Sequence, residues 1–105
     1  MSHPLFFIQQ LTQVLDLSGR MLIAVQHEEW EVLEELEAER QKLLPDFTKF
    51  SLNSEQVDEV RKIVEEILHI NQLMVDMSTS RQDDYRQSNR KFAAAQKAVS
   101  AYDSV

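Results

Sequence analysis

After Pro45 the chain runs on without another proline or a glycine, and before it stand only Pro4 and Gly19. Strands joined by tight turns need such residues, because many turns require a pre-set or a positive φ that other side chains adopt at a cost. A chain of 105 residues with so little turn material reads as helices joined by few connections. The apolar residues agree, recurring at spacings of three and four. The expectation is one all-α domain over residues 1–105: an antiparallel helical hairpin packed on a long third helix, followed by a weak C-terminal helix that is either packed or separate.

The first helix is expected over residues 4–26. Ser2 or His3 caps it, and Pro4 suits a first turn that needs no amide hydrogen. Ile8, Leu11, Leu15, Ser18, Leu22 and Val25 form one stripe, and Phe7, Val14 and Met21 form a second beside it. A face that wide serves two neighbours. Gly19 weakens the helix slightly and marks either close packing or a bend. The second helix, 28–44, carries Leu33, Leu36 and Leu43, with Val32 more loosely placed. Pro45 ends it, because the residue before a proline avoids the α region. The loop Asp46–Leu52 carries Phe47 and Phe50, expected to fold back on the helix ends.

The third helix has the clearest start. Asn53 and Gln56 stand at capping-box spacing, and Leu52 and Val57 are placed for the accompanying hydrophobic staple. Val57, Val60, Ile63, Val64, Ile67, Ile70, Met74 and Met77 carry it from 54 to 78 or beyond. Between Ser78 and Asn89 the pattern thins to Tyr85, which predicts a bend or break. Phe92, Ala95, Val99 and Tyr102 then resume a weaker stripe over 88–102.

Within HEEWEVLEELEAER, His27 to Arg40, seven of the twelve residues from Glu28 to Glu39 are acids and none is basic. The first of them favour the positive end of a helix dipole. The chain's one tryptophan, Trp30, stands among them. A core role would fold its ring back over Leu22 and Val25 to close the hairpin. The rival role is an exposed anchor for a partner.

The formal net charge of −7 disfavours direct contact with nucleic acid. The chain has no cysteine, hence no disulfide framework and no thiolate metal site. No apolar run approaches the roughly 20 residues that span a bilayer. The short run Pro4–Ile8 lacks the basic flank of a secretory signal. Glu66 and His69 form a single E-x-x-H pair, where a di-iron helical bundle uses two. One glycine makes no phosphate loop, and the acid run lacks the ligand spacing of a calcium loop. Neither an enzyme nor a cofactor or metal site is expected.

Three stretches carry a resemblance. LSGRMLIAVQHEEWEVLEELEAERQKLL resembles the first hairpin of the flagellar export chaperones of the FliT family: a leucine-rich helix, a small residue, a short polar turn, tryptophan, then a leucine and acid helix. ILHINQLM is similar to the part of that family's third helix where an asparagine follows isoleucine or leucine positions. SAYDS is similar to an alanine–tyrosine pair in its last helix. The turn departs from the family pattern, with His27 and Glu28 where a glycine or asparagine is usual.

The resemblance implies a cytoplasmic chaperone that binds the C-terminal helical segment of the filament-cap protein, keeps it from assembling early and delivers it to the export gate and its ATPase complex. In some members it also implies binding of the flagellar transcription activator. For partner binding the residues chosen are Ile63, Ile67, Ile70, Met74 and Met77, since three helices do not bury every stripe and methionine adapts to varied partners. Val60, Val64 and Ile67 are expected to be mostly core. A regulatory C-terminal helix would use Phe92, Val99 and Tyr102 to cover a groove, with Arg81, Arg86, Arg90, Lys91 and Lys97 facing the acids of 28–39. The alternative function is a structural helical adaptor or coiled-coil-type oligomer, and a weak homodimer is one way to cover an exposed stripe.

Overall fold

The computed structural model describes residues 4–44, 52–77 and 82–103, and they form four helices. These are α1 (Pro4–Gln26), α2 (Trp30–Leu43), α3 (Ser54–Met77) and α4 (Gln82–Asp103). Phe47 and Phe50 lie outside the described residues, as do the side chains of Tyr85 and Tyr102.

Helix α3 starts as its sequence prescribes. The amide of Gln56 donates to Asn53 Oδ1 at 2.9 Å and the amide of Asn53 donates to Gln56 Oε1 at 3.0 Å, closing the reciprocal box. Leu52 packs against the cluster that holds Val57, completing the staple.

Helix α2 starts two residues later than expected. Helix α1 ends in a Schellman turn, in which the Glu29 amide donates to the Ala24 carbonyl at 2.9 Å and the Glu28 amide to the Val25 carbonyl at 3.2 Å. That geometry puts Glu28 in the left-handed region at φ 55°. Glu28 therefore belongs to neither helix, and Glu29 follows as N-cap without a side-chain cap bond.

Helix α4 begins at Gln82, six residues before the expected 88. The thinning of apolar residues before Asn89 reflects exposure, not loss of helix: Arg86 and Gln87 are exposed. Of the two arrangements open to it, α4 takes the packed one. Phe92, Ala95 and Val99 are buried, and α4 lies along α3.

The pairing of helices follows from the stripes. Phe7, Leu11 and Val14 share one cluster with Val57, Val60, Val64 and Ile67, whereas Met21, Ala24 and Val25 share a second with Met74 and Val75. Low numbers meet low numbers, so α1 and α3 run parallel. Helix α2 returns antiparallel along α1, where Gln10 Nε2 donates to the Leu43 carbonyl at 3.1 Å and Leu33 joins the second cluster. Helix α4 returns antiparallel along α3, where Gln96 donates to Glu65 at 3.2 Å and Ser88 comes level with Asn71. Helix α1 thus has the two neighbours its wide face called for.

Candidate functional site

The core-facing line of α1 is Phe7, Leu11, Val14, Ser18, Met21 and Val25, and that of α3 is Val57, Val60, Val64, Ile67, Asn71 and Met74, all buried. Both lines alternate steps of three and four, as in a coiled-coil seam. Each carries one polar residue, and the two meet at the same level.

There Arg40, 6% exposed, reaches in from α2. Its Nη1 donates to Asn71 Oδ1 at 2.7 Å and to Ser18 Oγ at 3.0 Å, and its Nη2 donates to Ser88 Oγ of α4 at 3.4 Å. The Ser18 hydroxyl donates in turn to the Val14 carbonyl at 2.7 Å. All four helices meet in this layer, and it separates the two apolar clusters. A buried guanidinium is tolerable only with such acceptors around it. On its open side a cleft of about 210 Å³ lies between α2 and α4, lined by Glu37, Arg40, Gln41, Leu44, Gln87, Ser88 and Lys91.

Helices α2 and α4 therefore stand on the same side of the α1–α3 pair. Leu17 and Ala24, on the α2 flank of α1, are buried, as is Val75 on the α4 flank of α3. The opposite flanks have no helix over them among the described residues. Leu15 and Leu22 of α1 and Ile63 and Ile70 of α3 stand there half-buried against the two clusters. Met77 continues the α3 row at 47% exposure. Gly19 lies between Leu15 and Leu22, and a methyl added to it meets no atom within 4 Å. It does not mark close packing: it leaves open space between Leu15 and Leu22 on this flank.

The five residues chosen for partner binding divide accordingly. Ile63, Ile70 and Met77 line the groove. Ile67 and Met74 are wholly buried and offer no contact surface, which corrects their assignment. They lie on the core line, whose centre passes through Asn71, while the other three lie one flank over. Phe92 and Val99 of the expected regulatory helix are buried with Val60, Val64 and Ile67 in the first cluster.

Val25 is buried, Leu22 is half-buried and Trp30, the first residue of α2 directly after the Schellman turn, is 40% exposed, while Leu33 stands wholly in the core.

Arg40 and Ser88 carried no sequence signal, because both sit in polar stretches. Ser18 and Asn71 did carry one, as polar residues in register with apolar stripes. Among the described residues no three histidine, aspartate or glutamate side chains gather into a metal site, and no helix is long and apolar enough to cross a membrane. The family model described as flagellar protein FliT matches residues 8–104. No curated protein and no solved structure matches the chain.

Proposed function

The chain belongs to the FliT family of flagellar chaperones, and from that membership we propose that it binds the C-terminal helical segment of the filament-cap protein in the cytoplasm. Bound there, the client is kept from assembling early and is handed to the export gate and its ATPase complex. The chaperone turns over no substrate. Its acidic charge rules against DNA as a direct partner, so any effect on flagellar gene expression runs through binding the activator protein.

The observation that supports this reading is the α1–α3 groove. Its α3 row, Ile63, Ile70 and Met77, repeats every seven residues and extends roughly 21 Å at 1.5 Å per residue. That length seats about four turns of an amphipathic client helix, whose apolar face would cover the half-buried leucines opposite. Calorimetric titration with a peptide from the C-terminus of the same organism's cap protein is the test. One-to-one binding with a negative heat-capacity change, lost in Ile70→Glu while the helix content stays, is expected. Absence of binding would leave a helical adaptor without an export role.

Helix α4 is the regulatory element of this proposal, although it covers the α3 flank opposite the groove and does not mask the groove itself. Its departure would uncover the face of Val60, Val64 and Ile67 that Phe92 and Val99 bury. Truncation after Gln87 raises partner affinity if the client also uses that face, and unchanged affinity removes α4 from the mechanism.

A further inference from the structure

The cleft beside the polar layer belongs neither to the core nor to the client groove. One wall comes from α2 and the other from α4. Those two helices do not pack directly on each other among the described residues: packing joins α1 to α2, α1 to α3 and α3 to α4. Arg40 crosses the gap to Ser88 at 3.4 Å, a longer bond than those it makes to Asn71 and Ser18. The cleft is lined by hydrogen-bond donors. Its floor is the Arg40 guanidinium, a charge held in the interior. The Ser88 hydroxyl accepts from Arg40 Nη2 and from Asn71 Nδ2, which fills its acceptor positions and leaves its hydrogen to donate. Exposed Gln41 and Gln87 bring an amide from either wall, and Lys91 brings an ammonium. Half-buried Glu37 is the one carboxylate of the lining. Two cations against one anion make this a locally positive cleft in a chain of net charge −7.

We propose that this cleft binds one compact oxyanion, a carboxylate or a phosphate, and that the bound anion ties α4 to α2. Guanidinium and ammonium donors form their strongest hydrogen bonds with such oxygens. A concave site holds that field locally, although the chain as a whole is acidic. A volume of about 210 Å³ has room for one such ion with several waters. It has no room for a polyanion strand, which the net charge would also repel. An apolar ligand finds only Leu44 among the lining side chains. Because the donors come from both walls, an anion held between Lys91 and Gln41 would bridge helices that otherwise meet only through the Arg40 side chain. This site stands on the cleft alone and needs no client in the α1–α3 groove.

The full chain, isotope-labelled for NMR, is titrated at neutral pH and constant ionic strength with sodium phosphate, with sodium acetate and, as reference, with sodium chloride. Saturable amide shifts at Gln41, Gln87, Ser88 and Lys91 are expected with phosphate or acetate and not with chloride. The anion that saturates at the lower concentration identifies the ligand as phosphate or carboxylate. Amide exchange in α4 should slow with the anion bound. A rise in Tm is not enough, because phosphate strengthens apolar burial in any protein. Arg40→Met disturbs the core, so the test rests on Lys91→Gln, at an exposed side chain. That variant keeps the fold and weakens binding roughly fivefold, the upper end for one exposed charge pair. Lys97→Gln, on α4 away from the cleft, and Ile70→Glu, in the groove, leave binding unchanged. Shifts that rise without saturating, spread along the whole chain, appear equally with chloride or persist undiminished in Lys91→Gln overturn the proposal. Saturable binding that leaves α4 exchange unchanged overturns the bridging role.

Discussion

The polar layer gives the sharpest quantitative test. Replacing Arg40 with methionine keeps a long apolar side chain but removes three donated hydrogen bonds. Asn71 has no exposed surface, so its carbonyl oxygen loses a 2.7 Å charge-assisted bond at a buried position. Leaving such an acceptor short of a donor costs about 2–3 kcal/mol. Asn71→Leu on its own removes the shortest acceptor from a buried guanidinium, at a cost of about 2–3 kcal/mol or more. The double variant removes both groups, and Ser18 still donates to the Val14 carbonyl. Its loss should therefore fall well short of the sum, with a coupling energy of about 1.5–3 kcal/mol. Each single variant lowers Tm by roughly 10–20 °C in a domain of this size. Guanidinium unfolding of the parent, both singles and the double variant measures the cycle. A coupling below about 0.5 kcal/mol would refute the layer as one cooperative unit. The double variant carries a second signature. With an unbroken apolar line on both α1 and α3, the parallel pair loses the mark that fixes its register, so amide resonances along α3 should broaden or double.

Glu28→Gly relieves the left-handed conformation and raises stability by about 0.5–1 kcal/mol in thermal unfolding, whereas Glu28→Val lowers it. Gly19→Ala meets no atom within 4 Å and gains about 0.5–1 kcal/mol from helix propensity, so a destabilised variant would mean the gap is occupied. Phe92→Ala, at a side chain 1% exposed, costs about 3–4 kcal/mol. Because α4 packs along α3, amide exchange in that variant should rise first in α4, and a uniform rise along the chain would contradict this.

Much of the fold was legible because the signals were local. The start of α3 follows from Asn53 and Gln56, whose reciprocal bonds form within four residues. The two neighbours of α1 follow from its two parallel stripes. The expected start of α2 falls two residues early because the acids of its first turn look equally helical from Glu28 onward, while a Schellman turn claims Glu28 for a conformation that glutamate seldom adopts. The start of α4 was placed late for a different reason. Amphipathic periodicity records burial, and a helix segment with exposed Arg86 and Gln87 leaves no such record.

The error in the partner-binding set has one physical source. Counting apolar residues alone on α3 passes over Asn71 and draws the stripe through Ile63, Ile67, Ile70, Met74 and Met77, which straddles two faces. Admitting Asn71 as a buried position restores the strict three–four line through Val64, Ile67, Asn71 and Met74, and the remaining three fall together on the flank that forms the groove. What helps make Asn71 buriable is Arg40, 31 positions away in sequence, to whose own burial Ser18, Asn71 and Ser88 contribute acceptors from three other helices. No single segment contains that information. The polar layer is a property of the assembled bundle, and it decides both where the core ends and which apolar residues of α3 stand outside it.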